Sequence, residues 1–138
     1  MIELRMYQKG DHESIKDSVE PFVETFDTEP DLTCGVCLTA TEDDRPIACG
    51  GILMTSETEG EVWLKLGQKM PSLTLCKLLK QGYKIAEDSF NLSRLTARVQ
   101  EGWDTGRRFV EWFGFEGTSE TIQMMGRTYR IYEKWLTP

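Results

Sequence analysis

Apolar and polar residues alternate over residues 2–7, which predicts a first strand. Lys9-Gly10-Asp11 then opens a helix, with Asp11 as its N-cap and Glu13 in its first turn. Pro21 interrupts that helix, so it breaks near Val19 and restarts with Pro21 in the first turn of a second piece. Phe22, Val23 and Phe26 give the second piece an apolar face, and residues 28–31 form a loop. Three strands follow in meander order, over about 33–41, 47–55 and 61–66. The polar turns between them, 42–46 and 56–60, are short enough to require antiparallel hairpins. In the third strand Val62, Leu64 and Leu66 share one face, and Trp63 and Lys65 share the other.

Pro71-Ser72 starts a long helix that runs to about Phe90. Leu75, Leu79, Gly82, Tyr83, Ala86 and Phe90 recur along it at three- and four-residue spacing, as a core-facing stripe does. Residues 94–99 read as the next strand, and Asp104 caps a short helix whose apolar side holds Phe109, Val110 and Phe113. That helix stops at Gly114, and Phe115 re-enters the core. A last pair of strands, about 118–125 and 128–135, turns at Gly126. A helix between two strands of one sheet makes a parallel crossover. The expected architecture is therefore a single α/β (α+β) domain over residues 1–138, with a mixed, mostly antiparallel central sheet of about seven strands flanked by helices.

Composition narrows the function classes. Acidic residues outnumber basic ones, 23 against 16, for a formal charge of −7. This argues against backbone-led nucleic-acid binding, which needs clustered positive charge. No apolar run approaches the roughly 20 residues that cross a bilayer, and Met1-Ile2-Glu3-Leu4-Arg5 lacks the apolar region of a signal peptide. No membrane association is expected, and the expected location is cytoplasmic, or inside a larger particle. Cys34-Gly35-Val36-Cys37 fits a C-x-x-C string, but on a strand those thiols point to opposite faces. With no second pair and a single histidine, His12, no metal site is read; buried reduced thiols are expected.

The element order and the ending Phe109-Val110-Glu111-Trp112-Phe113-Gly114-Phe115 resemble the GNAT acyltransferase superfamily, whose members move an acyl group from coenzyme A to an amine. The topological resemblance covers nearly the whole chain; the sequence resemblance is concentrated in its C-terminal part. Within the superfamily the chain looks most like small acetyltransferase-like proteins of tailed phages, including internal virion proteins, in its size, its Glu61-Val62-Trp63 strand and its 99–115 segment. The resemblance implies acetyl-CoA as cofactor. It implies a small-molecule or protein amine as acceptor, with an action in a host cytoplasm or a virion. In this fold the fourth and fifth strands part to admit the pantetheine arm, whose amides would pair with backbone at Leu64, Lys65 and Leu66.

Two departures accompany the resemblance. The family's Gln/Arg-x-x-Gly-x-Gly/Ala loop, whose backbone N–H groups cradle the pyrophosphate, falls on Met70, Leu73 and Leu75, none of which matches. Lys69 and Lys77 could supply charge, and Ser72 and Thr74 lie where a pyrophosphate would be received; plain helix capping is the alternative for Ser72. The tyrosine that protonates the leaving thiolate in many members falls on Val110, and the asparagine that opens the same helix falls on Trp103. The remaining candidates are Glu61 as general base, with Glu57 and Glu59 beside it, and Tyr132 as acid. A solvated acidic turn is the alternative for the glutamates, and packing for Tyr132 and Tyr129. Trp103 and Arg107 border the expected cofactor groove. The four tryptophans could line it, and Arg94, Arg98, Arg107 and Arg108 could form a basic edge.

Three functions compete. One is acyl-CoA-dependent N-acyl transfer. A second is a catalytically inactive descendant on the same scaffold, a phage structural or host-interaction protein whose acidic surface meets a basic protein of phage or host. A third, motivated by Glu42-Asp43-Asp44 and residues 57–61, is a nucleic-acid mimic, though two short turns make no extended charge ladder. Assembly into a homo-oligomer is left open by the sequence.

Overall fold

A computed structural model describes residues 2–15, 35–66, 72–124 and 126–136. In chain order its elements are β1 (Ile2–Met6), α1 (Asp11–Ser14), β2 (Gly35–Glu42), β3 (Arg45–Met54), β4 (Glu59–Leu66), α2 (Ser72–Ser89), β5 (Arg94–Gln100), α3 (Asp104–Trp112), β6 (Glu116–Met124) and β7 (Arg127–Trp135). The strands form one seven-stranded sheet in the order β1-β2-β3-β4-β5-β7-β6. Neighbours are antiparallel throughout except β4 and β5, which α2 joins as a parallel crossover. The predicted mixed, mostly antiparallel sheet is thus observed. The predicted break at Pro21, the helical piece at 22–26 and Cys34 lie outside the described residues.

Local chemistry explains the joints. Asp43 and Asp44 both take positive φ, 53° and 63°, between the paired residues Glu42 and Arg45. That is a two-residue turn of the kind whose twist suits a hairpin, and aspartate tolerates it. The β2–β3 register shifts after Ala40, so that Pro46, which has no N–H to give a ladder, sits at the bulge. At the end of α3, the Phe115 N–H donates to the Val110 carbonyl at 2.9 Å and the Gly114 N–H to the Glu111 carbonyl at 3.0 Å. Gly114, with φ 91°, holds the left-handed position that this closure needs. Phe115 then enters the core as expected.

Two capping expectations are corrected. Gly10, in the left-handed region, precedes α1, and Asp11 is the first residue inside it. The Asp11 carboxylate turns toward the sheet and accepts from Arg5 at 2.8 and 2.9 Å, from the Gln8 N–H at 2.8 Å and from the Thr39 hydroxyl at 2.7 Å. Trp103, not Asp104, is the N-cap of α3 and makes no side-chain cap bond; Asp104 lies in the first turn, where a carboxylate favours the helix dipole.

The sheet separates two apolar layers. On one face Val36, Leu38, Ile52, Leu95, Ala97, Val99 and Tyr132 meet Ala86 of α2, with Val110 and Phe113 of α3 packed against them. On the other face Cys37 and Cys49, both buried, meet Tyr7 and Ile15 beside α1, with Trp63 against them. Among the described residues no helix is long and apolar enough to cross a membrane.

Candidate active site

Among the described residues β4 and β5 form the parallel pair of the sheet, and their ladder ends before either strand does. The β4–β5 ladder runs from Glu59↔Arg94 to Val62↔Ala97. Beyond it, β4 continues to Leu66 paired with β3, and β5 continues to Gln100 paired with β7. Residues 63–66 therefore carry an edge that faces away from β3, with no strand laddered to it among the described residues. Every other strand residue of that edge presents an N–H and a C=O outward, the surface that recognises an extended amide chain. The pantetheine arm of coenzyme A, with two amides, is such a chain.

Side chains on the α1 face border this notch. Register places Glu59, Glu61 and Trp63 of β4 on that face with Arg94, Thr96, Arg98 and Gln100 of β5. Arg98 Nε donates to Glu61 Oε2 at 2.8 Å, and Arg98 Nη1 lies 3.1 Å from the Met124 sulfur at the end of β6. Arg94 bridges Glu59 at 3.1 Å and Glu133 at 2.7 Å, and hydrogen bonding from Arg94 holds the Glu133 carboxyl below its ordinary range. At the open end of β5 three buried polar atoms have no hydrogen-bond partner among the described residues: Gln100 Oε1, Tyr129 Oη and Trp103 Nε1. Gln100 and Tyr129 are register partners, and the Trp103 N–H donates to the Gln100 carbonyl at 3.1 Å, so all three belong to one end of the sheet. Burial pushes the Tyr129 phenol up, which keeps it protonated at neutral pH.

The residues singled out in the sequence divide as follows. Glu61 stands beside the ladder's last pairs, its side chain 12% exposed and paired to Arg98. Leu64 lies on the unladdered edge, its side chain turned to the α2 side, where Ala40, Ile47 and Ala48 cluster with Leu79 and Phe109. Lys65 and Leu66 continue that edge. Ser72 is the first residue of α2 and Thr74 lies in its first turn, which contains no acidic residue to compete for an anion. Lys69 and Met70 lie outside the described residues. Trp103 ends β5's extension and packs toward the core; a methyl on Gly106 would run into its ring. Arg107 lies on α3 in ion pairs with Asp104 at 3.6 Å and Glu111 at 2.8 Å.

Tyr132 is on the α2 side of β7, 7% exposed, with its ring lying over Gly117 of β6. Burial and the Glu111 carboxylate push its phenol up. Tyr129 and Tyr132 face opposite sides, as their odd spacing predicts. The tryptophans are dispersed over both faces of the sheet and its surface. Trp63 joins the α1 layer, Trp112 is exposed under Lys80, and Trp135 is exposed beside Arg94. The arginines are split between the sheet's α1 face and α3, and Arg94, Arg98 and Arg107 each pair with a glutamate. Arg98 as the partner of Glu61 was missed as a site residue. The alternation of polar Arg94, Thr96, Arg98 and Gln100 with buried Leu95, Ala97 and Val99 was its sequence signal.

A layered domain whose mixed sheet opens between its single parallel pair, with a helix starting beyond the open strand, has the GNAT acyltransferase fold. Solved structures agree over nearly the full chain. Ard1 from Thermoplasma volcanium superposes with a TM-score of 0.78 at 12% identity, covering 99% of each chain. The ribosomal-protein-S18-alanine N-acetyltransferase from Escherichia coli gives 0.70 at 13% identity, covering 96% of this chain and 92% of that one. A GNAT family acetyltransferase from Elizabethkingia anophelis, solved with acetyl-CoA bound, gives 0.66 at 15% identity over 98% of each. No model of a known family matches the sequence, and no curated protein matches it. At these identities the likeness is one of fold.

Proposed function

We propose that this protein is an acyl-CoA-dependent N-acyltransferase that takes acetyl-CoA in the β4–β5 notch and passes its acyl group to an amine. The observation that carries this reading is the end of the ladder at Val62↔Ala97 while both strands continue. Bound acetyl-CoA would supply the activated acyl group. The edge at Leu64, Lys65 and Leu66 would hold the pantetheine amides. The start of α2, with Ser72 and Thr74, would receive the pyrophosphate, helped by Lys69 and by the helix dipole. Trp103 and Arg107 would border the cofactor's entrance.

Glu61 is the candidate general base. Its pairing with Arg98 fixes the carboxylate beside the notch, and proton acceptance from the amine, directly or through a water, falls to the carboxylate. The ring of Tyr132 overlies β6, on the far side of β7 from the notch, so its role as acid is the weakest assignment here. A thiol leaving group, with a solution pKa of about 8.5, needs less help from an acid than an alkoxide does.

Val110, packed into the core where many members of the superfamily hold an acidic tyrosine, favours the second reading: a non-catalytic form that binds a protein of phage or host, in cytoplasm or virion. Calorimetry with acetyl-CoA separates the two. The transferase reading expects measurable heat and a thermal shift, and loss of transfer by about 100-fold or more in Glu61→Gln. Neither heat nor shift at millimolar acetyl-CoA leaves only the scaffold reading.

A further inference from the structure

We propose that Gln100 and Tyr129 form the subsite that holds the acceptor's amine, an inference that rests on the transferase reading and assigns residues to its second substrate. Both side chains lie on the α1 face at the open end of β5, on directly opposed positions of neighbouring strands. Tyr129 is 3% exposed, and neither its hydroxyl nor the Gln100 side-chain oxygen has a hydrogen-bond partner among the described residues. Two buried oxygens left open on opposed residues of neighbouring strands are a rare arrangement in a folded chain, where buried polar atoms are almost always satisfied.

The surroundings place the pair next to the chemistry. Arg98 pairs with Ile131 across β5 and β7, and Met124 pairs with Arg127 across β6 and β7. The contact between the Arg98 guanidinium and the Met124 sulfur at 3.1 Å therefore passes across β7 at Tyr129. The same guanidinium holds the Glu61 carboxylate at 2.8 Å. One arginine thus reaches from the candidate base to the stretch of β7 that Tyr129 occupies.

The chemistry of the pair selects its ligand. The Gln100 oxygen only accepts, and the tyrosine hydroxyl accepts or donates. A carboxylate or phosphate brings acceptors alone and leaves Gln100 unpaired. An amine brings N–H donors: a primary ammonium gives one to each oxygen, and a neutral amine gives one to Gln100 while its lone pair takes the tyrosine proton. A quaternary ammonium of equal charge gives none. The net charge of −7 favours a cationic approach without choosing between these cations.

The test is thermal unfolding of the full chain, of Tyr129→Phe and of Gln100→Met, alone and with propylamine or propyltrimethylammonium at tens of millimolar. Removing an unpartnered buried hydroxyl raises the melting temperature of Tyr129→Phe by roughly 2–4 °C. Propylamine raises the midpoint of the wild type and not of either variant, and propyltrimethylammonium raises none. The inference is overturned if Tyr129→Phe melts lower, since its hydroxyl then has a partner such as a buried water. It is equally overturned if propylamine moves all three proteins alike or leaves the wild type unchanged. Acetyl-CoA titration of the same proteins keeps the two ideas apart. Cofactor binding without an amine response removes only this subsite, and an amine response without cofactor binding removes only the transferase reading.

Discussion

The Asp11 carboxylate is 5% exposed, and burial alone would raise its pKa. Hydrogen bonds from Arg5, the Gln8 N–H and Thr39 outweigh that and hold it below the ordinary carboxylate range. A carboxyl whose folded pKa is depressed stabilises the fold above its unfolded pKa, about 3.9, and loses that contribution as pH falls through the folded value. Asp11→Asn is therefore expected to cost about 2 kcal/mol at pH 7, less than a fully buried pair because Arg5 is 31% exposed. The difference from wild type narrows below about pH 4, and urea unfolding across pH measures it. A deficit that stays constant down to pH 2 contradicts the assignment. The sequence showed Asp11 as a helix-start residue but not its role, because Thr39 lies 28 residues away and only the β1–β2 register brings it close.

Among the elements, the α3 terminus was the most legible, because its signal is local. Gly114 follows an apolar helical face and precedes Phe115, and both hydrogen bonds of the closure lie within six residues. Gly114→Ala places a Cβ at φ 91° and is expected to cost about 1 kcal/mol, read as a lower denaturation midpoint with an unchanged slope. A variant as stable as wild type would mean that the terminus relaxes out of the left-handed position. The Glu61–Arg98 pair shows the opposite case. Each residue was visible on its strand, but which arginine meets which glutamate depends on the parallel offset of β4 against β5, and nothing local encodes it. Because Arg98 is about one-third exposed, a double-mutant cycle on the pair should give a coupling of only about 0.5–1 kcal/mol. A much larger value would show the pair to be a structural lock rather than a poised site.

For the whole molecule, the fold class followed from the spacing of elements, since short turns imply hairpins and a long helix between strands implies a crossover, whereas the place of β7 between β5 and β6 is a tertiary fact. The site did not follow in the same way. The resemblance implied that β4 and β5 part, but where their ladder ends is a tertiary fact. Alternation along β5 puts Arg98 and Gln100 on one face, but only the pairing with β7 brings Tyr129 opposite Gln100. In the transferase reading the edge of residues 63–66 is an open recognition strand. Hydrogen exchange of the β4 amides, with and without acetyl-CoA, tests it most directly. Notch-facing amides among residues 63–66 should exchange faster than the laddered amides of residues 59–62 in the free protein, and should slow by tenfold or more, roughly 1.4 kcal/mol, once acetyl-CoA binds. Uniform slow exchange along β4, unchanged by the cofactor, would contradict the account.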